Sequence, residues 1–403
     1  MKKILFLLGM TAMMAFFAWN GLAEEAADLT EKCAIDVSVY RRNMEYMLDE
    51  ETTTKWETGD FGGYVEVKTP AGKKSQGVYV QWGAKPIDIW VQVPSKDGKT
   101  WINDQKINGT YYNQYIPFDR PLSQFRLCTM NGEDKMAFIR LQVMGEGELP
   151  VWVQQWQPFE GKADLMVLVA HPDDELLFMG GVIPHYNTVE GKKVIVAYIA
   201  SMPAHRKVEL LNGLWHCGVR MYPEMPSAKF RDKNTMDRQE CLNLWEEEKL
   251  KEHITGLIRK YKPDVIVTHD INGEYGHGAH KACNWAVRQC IERAASPARD
   301  IASYRQYGAW QVKKVYFHLY DGKKSLGQIS FNWQKPEAAF DGKNVLTIAA
   351  EAFQMHQSQS RATIYAVRDY GPYDNSKFGL YYSAVGKDTG KNDLFENIDI
   401  TQE

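Results

Sequence analysis

Beyond its first two dozen residues the chain has no apolar run long enough to cross a bilayer, no C-x-x-C pair and no internal repeat. It also carries almost no net charge, with 48 Lys and Arg against 51 Asp and Glu. A span needs ~20 consecutive apolar residues, so the body of the protein is expected to stay out of the membrane. Phosphate backbones are attracted by a broad basic field, and a net charge of −3 provides none, so nucleic acid is not an expected partner. Without C-x-x-C, neither a structural zinc knot nor a redox dithiol is expected. Wholesale disorder is excluded as well, because 44% of the residues are hydrophobic, and 403 residues suffice for two or three domains.

The one long apolar run lies at the N-terminus, where Lys2-Lys3 precede Ile4 to Trp19 and Gly21-Leu22-Ala23 lead into Glu24-Glu25. Basic, apolar and small-residue segments in that order form the pattern of a secretory signal peptide over residues 1–23, cleaved near Ala23. A single anchor is the other reading, and the run is short for it at ~20 residues per span. The expectation is a secreted or periplasmic protein with no stable membrane insertion after cleavage. Export makes the six cysteines, Cys33, Cys128, Cys217, Cys241, Cys283 and Cys290, disulfide candidates. Cys283 and Cys290 sit on one expected helix, about 10 Å apart along its axis at ~1.5 Å per residue, too far to bridge each other. A Cys33–Cys128 pair would leave two arrangements of the other four, and buried thiols are the alternative.

Between residues 30 and 157 short β-branched and aromatic runs alternate with turn signals. Tyr64-Val65-Glu66-Val67, Gly77 to Trp82, Ile87 to Val93, Phe138 to Val143 and Val151-Trp152-Val153 are examples. Period-two alternation of this kind predicts an antiparallel β-sandwich. Trp56, Trp82, Trp90 and Trp101 are candidates for a sugar-stacking platform, with core packing as the alternative. Gln157 to Lys162 reads as a linker. From 163 to 403 the pattern becomes α/β: strands at 165–170, 194–200, 264–268 and 312–319 alternate with helices near 176–189, 205–217, 236–261 and 279–295. Such alternation calls for a mainly parallel sheet with crossover helices.

Two polar clusters stand at the ends of those strands. Ala170-His171-Pro172-Asp173-Asp174-Glu175 follows the apolar run Leu165 to Val169, and it offers an imidazole and three carboxylates within five residues. Thr268-His269-Asp270-Ile271-Asn272-Gly273-Glu274-Tyr275-Gly276-His277-Gly278-Ala279-His280 follows Asp264-Val265-Ile266-Val267. In open α/β sheets chemistry sits at the carboxyl ends of strands. Two such ends carrying His and acid residues can converge on one divalent metal, and a spare carboxylate beside it can act as a base.

The pair of motifs, A-H-P-D-D-E and a later G-H-x-x-H, resembles the LmbE-like, PIG-L-type N-acetylglucosaminyl deacetylases, zinc hydrolases with a Rossmann-like fold. The resemblance covers roughly residues 163–385. It implies Zn2+, or another divalent ion, held by His171, Asp174 and His280 with a fourth position left for water. It implies Asp173 as general base and His277 as an imidazolium that stabilises the oxyanion and assists the leaving amine. Tyr275 is a second candidate donor to that intermediate. Ala279 departs from family members that carry an acid between the two histidines, which bears on the tuning of His277. Arg206, with Glu209, stands where the family's R-x-x-E pattern contacts the sugar, and His356 in the tail is a second candidate substrate contact. Glu175, His269 and Asp270 are expected behind the ligands, while His185, His205, His216, His253 and His318 have no acidic constellation. The first unit, through Leu48 to Trp56 and its strand spacing, resembles the discoidin or F5/8 type C module, a galactose-binding-like jelly roll. The expected function is secreted zinc-dependent removal of acetyl groups from N-acetylglucosamine-type sugars or glycoconjugates. Its rivals are an amidase or esterase of the same fold and a glycan-binding protein with a degenerate hydrolase domain.

Overall fold

The computed structural model describes residues 24–320 and 328–398; the expected signal peptide lies outside the described residues. The first unit is built from β1 (Ala34–Val37), β2 (Trp56–Glu57), β3 (Tyr64–Lys68), β4 (Ser75–Trp82), β5 (Ile89–Pro94), β6 (Trp101–Ile107), β7 (Asn113–Leu122), β8 (Gln124–Thr129) and β9 (Ala137–Gly145). They form two antiparallel sheets, in the orders β1-β3-β8-β5-β6 and β2-β9-β4-β7. Alternate residues of β4 show why they pack. Val78, Val80 and Trp82 point into the sandwich core, while Tyr79 and Gln81 point to the opposite face, toward the second unit. Trp56 and Trp82 are fully buried there, stacking with or tilting onto Phe138, so they are core and not a sugar platform. Trp101 is capped by the Arg126 guanidinium at 4.0 Å. Val151-Trp152-Val153 forms a turn after Pro150 rather than a strand. No disulfide links the cysteines; all six are free thiols.

The second unit contains β10 (Leu165–Val169), β11 (Val194–Tyr198), β12 (Val265–Thr268), β13 (Lys314–His318), β14 (Gln328–Ser330) and β15 (Lys377–Ser383). Its helices among the described residues are α1 (Asp174–Leu177), α2 (Val182–Pro184), α3 (Ala204–His216), α4 (Arg238–Trp245), α5 (Glu247–Tyr261), α6 (Gly278–Ala295), α7 (Ile301–Tyr307), α8 (Val345–Gln354) and α9 (Gln357–Ser360). Strands run in the order β11-β10-β12-β13-β15-β14. The first four are parallel and β14 runs the same way, but β15, between β13 and β14, is antiparallel to both, so the mainly parallel sheet is mixed at that edge. The reversed strand comes from the tail: after α8 and α9 the chain enters between β13 and β14 as β15. The expected single helix over 236–261 is also broken, at Glu246 with φ 57°.

Every residue of β10 is buried because helices cover both faces. Leu165, Val167 and Val169 enter one core, Met166 and Leu168 the other. The strand order also places a topological switch beside β10, since β11 flanks it on one side and β12 on the other. Both polar motifs leave the sheet at that point. No helix among the described residues is long and apolar enough to cross a membrane.

Candidate active site

The loop after β10 turns sharply into α1, and Asp173 sits at the turn with φ 108°. That strained backbone is held by its own neighbours: the Asp173 N–H donates to Glu175 Oε2 at 2.7 Å, and its carbonyl accepts from Leu176 and Leu177. Asp173 is the N-cap residue of α1, yet its side chain caps nothing. The carboxylate is left for other work. In the second loop Gly276, at φ 82°, lets the chain turn between Tyr275 and His277 before α6 begins. Gly278 opens α6 where a Cβ would meet the Asp237 carbonyl at 2.6 Å, so the 235–237 segment closes directly over it.

These turns bring His171, Asp174 and His280 together. His171 Nδ1 lies 3.2 Å from Asp174 Oδ2 and 3.3 Å from His280 Nε2. His280 Nε2 lies 3.3 Å from Asp174 Oδ1. Donors bonded tetrahedrally to one zinc at 2.0–2.2 Å stand about 3.3–3.6 Å apart, so the set has the right size and chemistry for such an ion. Among the described residues two groups of three meet the spacing for a metal, His171-His277-His280 and Asp174-His269-His280; both contain His280, and the expected trio draws from each. Hydrogen bonding separates ligands from supports. His269 accepts from the Ala170 N–H at 2.9 Å through Nε2 and faces Glu274 at 2.6 Å through Nδ1, so both its nitrogens are engaged.

Glu274, which the sequence reading passed over, orders the whole cluster. Fully buried, it takes His269 Nδ1 (2.6 Å) and His280 Nδ1 (2.8 Å) on one oxygen. Its other oxygen takes His318 Nδ1 (2.8 Å) and the Asp270 N–H (3.0 Å). Its pKa is held well below the usual carboxylate range: burial opposes the charge, but His269 and the bonds from all three imidazoles outweigh it. An ionised Glu274 fixes a proton on His280 Nδ1 and turns Nε2 toward Asp174 and His171; burial opposes a charge there, but the two carboxylates raise the imidazole to about 10. His318, which stands in no acidic constellation in the sequence, is thereby part of the support. Asp232, on the loop before α4, plays the same role for His171, 3.0 Å from its Nε2. The only sequence signal for Glu274 was an acid six residues before His280, and Asp232 had none.

Asp173 faces Arg206 Nη2 at 3.2 Å, and Arg206 also donates to the Pro172 carbonyl. Burial pushes the Asp173 carboxyl up to about 7, against the pull of Arg206. His277 accepts from the Ala279 N–H at 3.2 Å through Nδ1, which places its proton on Nε2. Burial first, then the neighbouring His171 and His280, push its pKa down to about 3. That favours a neutral imidazole over the expected imidazolium; Asp174 and Asp232 pull the other way, and Ala at 279 adds no carboxylate to them. Tyr275 packs its ring against His280 (5.3 Å) and His277 (5.7 Å) and stays protonated because burial raises its pKa. Asp270 orders its loop by accepting from the Asn272 and Tyr320 N–H groups.

His356 is a correction. It is fully buried, with Nε2 3.3 Å from Glu175 Oε1 and against Gly213 of α3, so it supports the first motif from behind and presents no surface to substrate. Glu209 is likewise buried and ties the two units together. It accepts from Thr52 Oγ1 of the sandwich at 2.6 Å and from the Ser358 N–H at 2.8 Å, while standing 3.8 Å from Arg206.

Residues 166–291 match the PIG-L family, described as GlcNAc-PI de-N-acetylase. The match lies within the second unit. A 1D-myo-inositol 2-acetamido-2-deoxy-alpha-D-glucopyranoside deacetylase of Catenulispora acidiphila is 27% identical over 180 residues, 38% of this chain and 54% of the relative. A counterpart in Rhodococcus erythropolis is 25% identical over 242 residues, 48% of this chain and 80% of the relative. The chain thus spans about half to four fifths of the curated relatives it matches. Among solved structures, N,N'-diacetylchitobiose deacetylase from Pyrococcus horikoshii aligns with 49% of this chain and 71% of its own at 17% identity and TM-score 0.36. An F5/8 type C domain from Bacteroides fragilis aligns with 32% of this chain and 99% of its own at 15% identity and TM-score 0.25. The PIG-L match contains both polar motifs.

Proposed function

We propose that the protein is an exported, zinc-dependent hydrolase that removes the N-acetyl group from an N-acetylglucosamine-type sugar or glycoconjugate. One arrangement carries the reading: donor atoms of three side chains from two distant loops approach one another pairwise to 3.2–3.3 Å, with the buried carboxylate of Asp173 on the same turn as two of them. His171, Asp174 and His280 would hold the metal. When bound there, zinc supplies Lewis acidity toward an amide carbonyl and lowers the pKa of water toward ~7. Asp173, ionised and oriented by Arg206, accepts the proton of the attacking water. The Nε2–H of neutral His277 and the hydroxyl of Tyr275 donate to the developing oxyanion. Asp173 then returns the proton to the departing nitrogen. One water is consumed, a C–N bond breaks, and acetate and the free amine result.

Support for the substrate class comes from the PIG-L match and from relatives named as deacetylases of a glucosaminyl-inositol. Export rests on the N-terminal pattern of Lys2-Lys3, Ile4 to Trp19 and Ala23. The test is acetate release by the zinc-loaded chain from N-acetylated saccharides of increasing length, with N-acyl amino acids as the contrast. Release from the saccharides is expected. Turnover of acyl amino acids alone would reassign the amide, and a protein that holds no metal would end the hydrolase reading.

A further inference from the structure

The sandwich and the α/β unit do not close completely on each other. Between them lies a cleft of about 650 Å3, within the range of small-molecule sites, which favour domain interfaces. Its floor is a network of side-chain amides drawn from both units. Asn212 of α3 accepts through Oδ1 from Gln81 of β4 (3.0 Å), Asn113 of β7 (2.8 Å) and Gln154 of the connecting segment (2.8 Å). Gln81 is 2% exposed, yet its carbonyl oxygen has no hydrogen-bond partner. Turned round, the amide would leave its NH2 unpartnered instead, so Gln81 holds an unmet polar group under the cleft floor either way. The Asn212 NH2 beside it donates to nothing among the described residues. A buried, unpaired acceptor is costly to keep unless a ligand completes it.

The walls are aromatic. Trp152 is 42% exposed and meets Tyr79 edge to face at 6.0 Å, and Trp215 donates its indole N–H to the Val151 carbonyl. Two guanidiniums stand at the rim. Arg140 donates to the Glu50 carbonyl, and Arg220 lies 3.9 Å over the Trp215 ring and donates to the carbonyls of Trp215 and Val219; neither pairs with a carboxylate among the described residues. The exposed Trp152 ring suits the apolar C–H face of a pyranose, the vacant Asn212 donor above the unmet Gln81 acceptor suits a hydroxyl, and guanidiniums without a carboxylate partner suit oxygen-rich substituents. We infer that this interdomain cleft is a saccharide-binding site, separate from the reacting centre. The choice of sugar as ligand rests on the deacetylase reading; the vacant amides do not. Both sites share α3, because Arg206 lies six residues before Asn212, about 9 Å along the axis at ~1.5 Å per residue. Thr52 and Gln357 line the cleft and form the layer between it and Glu209.

The experiment uses the full chain carrying Asp173→Asn, so that nothing is turned over, titrated with hexa-N-acetylchitohexaose as a neutral probe and hyaluronan hexasaccharide as an acidic one. Calorimetry and tryptophan fluorescence follow binding. At least one probe is expected to bind, at least tenfold more weakly when Trp152→Ala or Arg220→Ala is added. In the otherwise native chain, Trp152→Ala is expected to leave acetate release from a small N-acetylglucosaminide unchanged. Binding of neither probe, or binding unaltered by both substitutions, would overturn the proposal. Saccharide binding with no acetate release from any sugar would instead defeat the deacetylase reading while leaving the cleft in place.

Discussion

In the sandwich the buried side chains are apolar or neutral, Trp56, Trp82, Phe125 and Phe138 among the largest, and no charged residue is buried. In the α/β unit His171, Asp173, Asp174, Glu175, Glu209, Glu274 and His280 are all more than nine-tenths buried. Taking a charge out of water is expensive unless partners surround it. The α/β unit meets that cost with a connected set, Glu274 with three imidazoles and Asp173 with Arg206. One half of the molecule therefore buries apolar groups and neutral amides and hydroxyls, and the other keeps an expensive charged centre that packing would never select.

Substitutions in the two halves should separate accordingly. Asp173→Asn keeps the size of the base and removes its charge, so acetate release should fall by about 10²–10⁴-fold with the folded state retained, read by turnover alongside circular dichroism. Trp82→Ala in the sandwich should do the reverse. Losing a fully buried indole costs about 3–5 kcal/mol, measurable in denaturant unfolding, while turnover per folded molecule is kept. A Trp82→Ala chain that unfolds normally but loses turnover would break the division between the halves.

Smaller effects sharpen it. Because burial raises Asp173 to about 7 and activity needs its carboxylate, kcat/KM should fall as the pH drops through that range. Arg206 favours the charged form, so Arg206→Met should move this acid limb to higher pH; a limb that stays put would separate Asp173 from the guanidinium. Smallest of all is Thr52→Val, which deletes a hydrogen bond that crosses from the sandwich to buried Glu209. It should cost roughly 1–3 kcal/mol, read as a lowered melting temperature.

Periodicity carried much of the fold. The alternation in β4 and the five apolar residues of β10 announced a two-faced strand and a doubly covered one, because side-chain direction in a strand follows from position along it. Motif order likewise pointed to His171, Asp174 and His280, whose donor atoms do meet. Glu274 and His318 escaped notice because their part depends on what lies across the sheet. His356 was misjudged for the same reason, since nothing in Phe353 to Gln359 says which way its imidazole faces.

Local chemistry in the chain was thus enough to determine strands, turns and a metal-sized set of donors. Tertiary structure alone decided which groups are buried together, and with that the protonation of His277, the elevation of Asp173, the antiparallel return of β15 and the cleft between the units. The physical reason is range: propensity and side-chain period act over a few residues, whereas desolvation and hydrogen-bond partnership depend on neighbours that the fold brings in from a hundred residues away, as with His171 and His280.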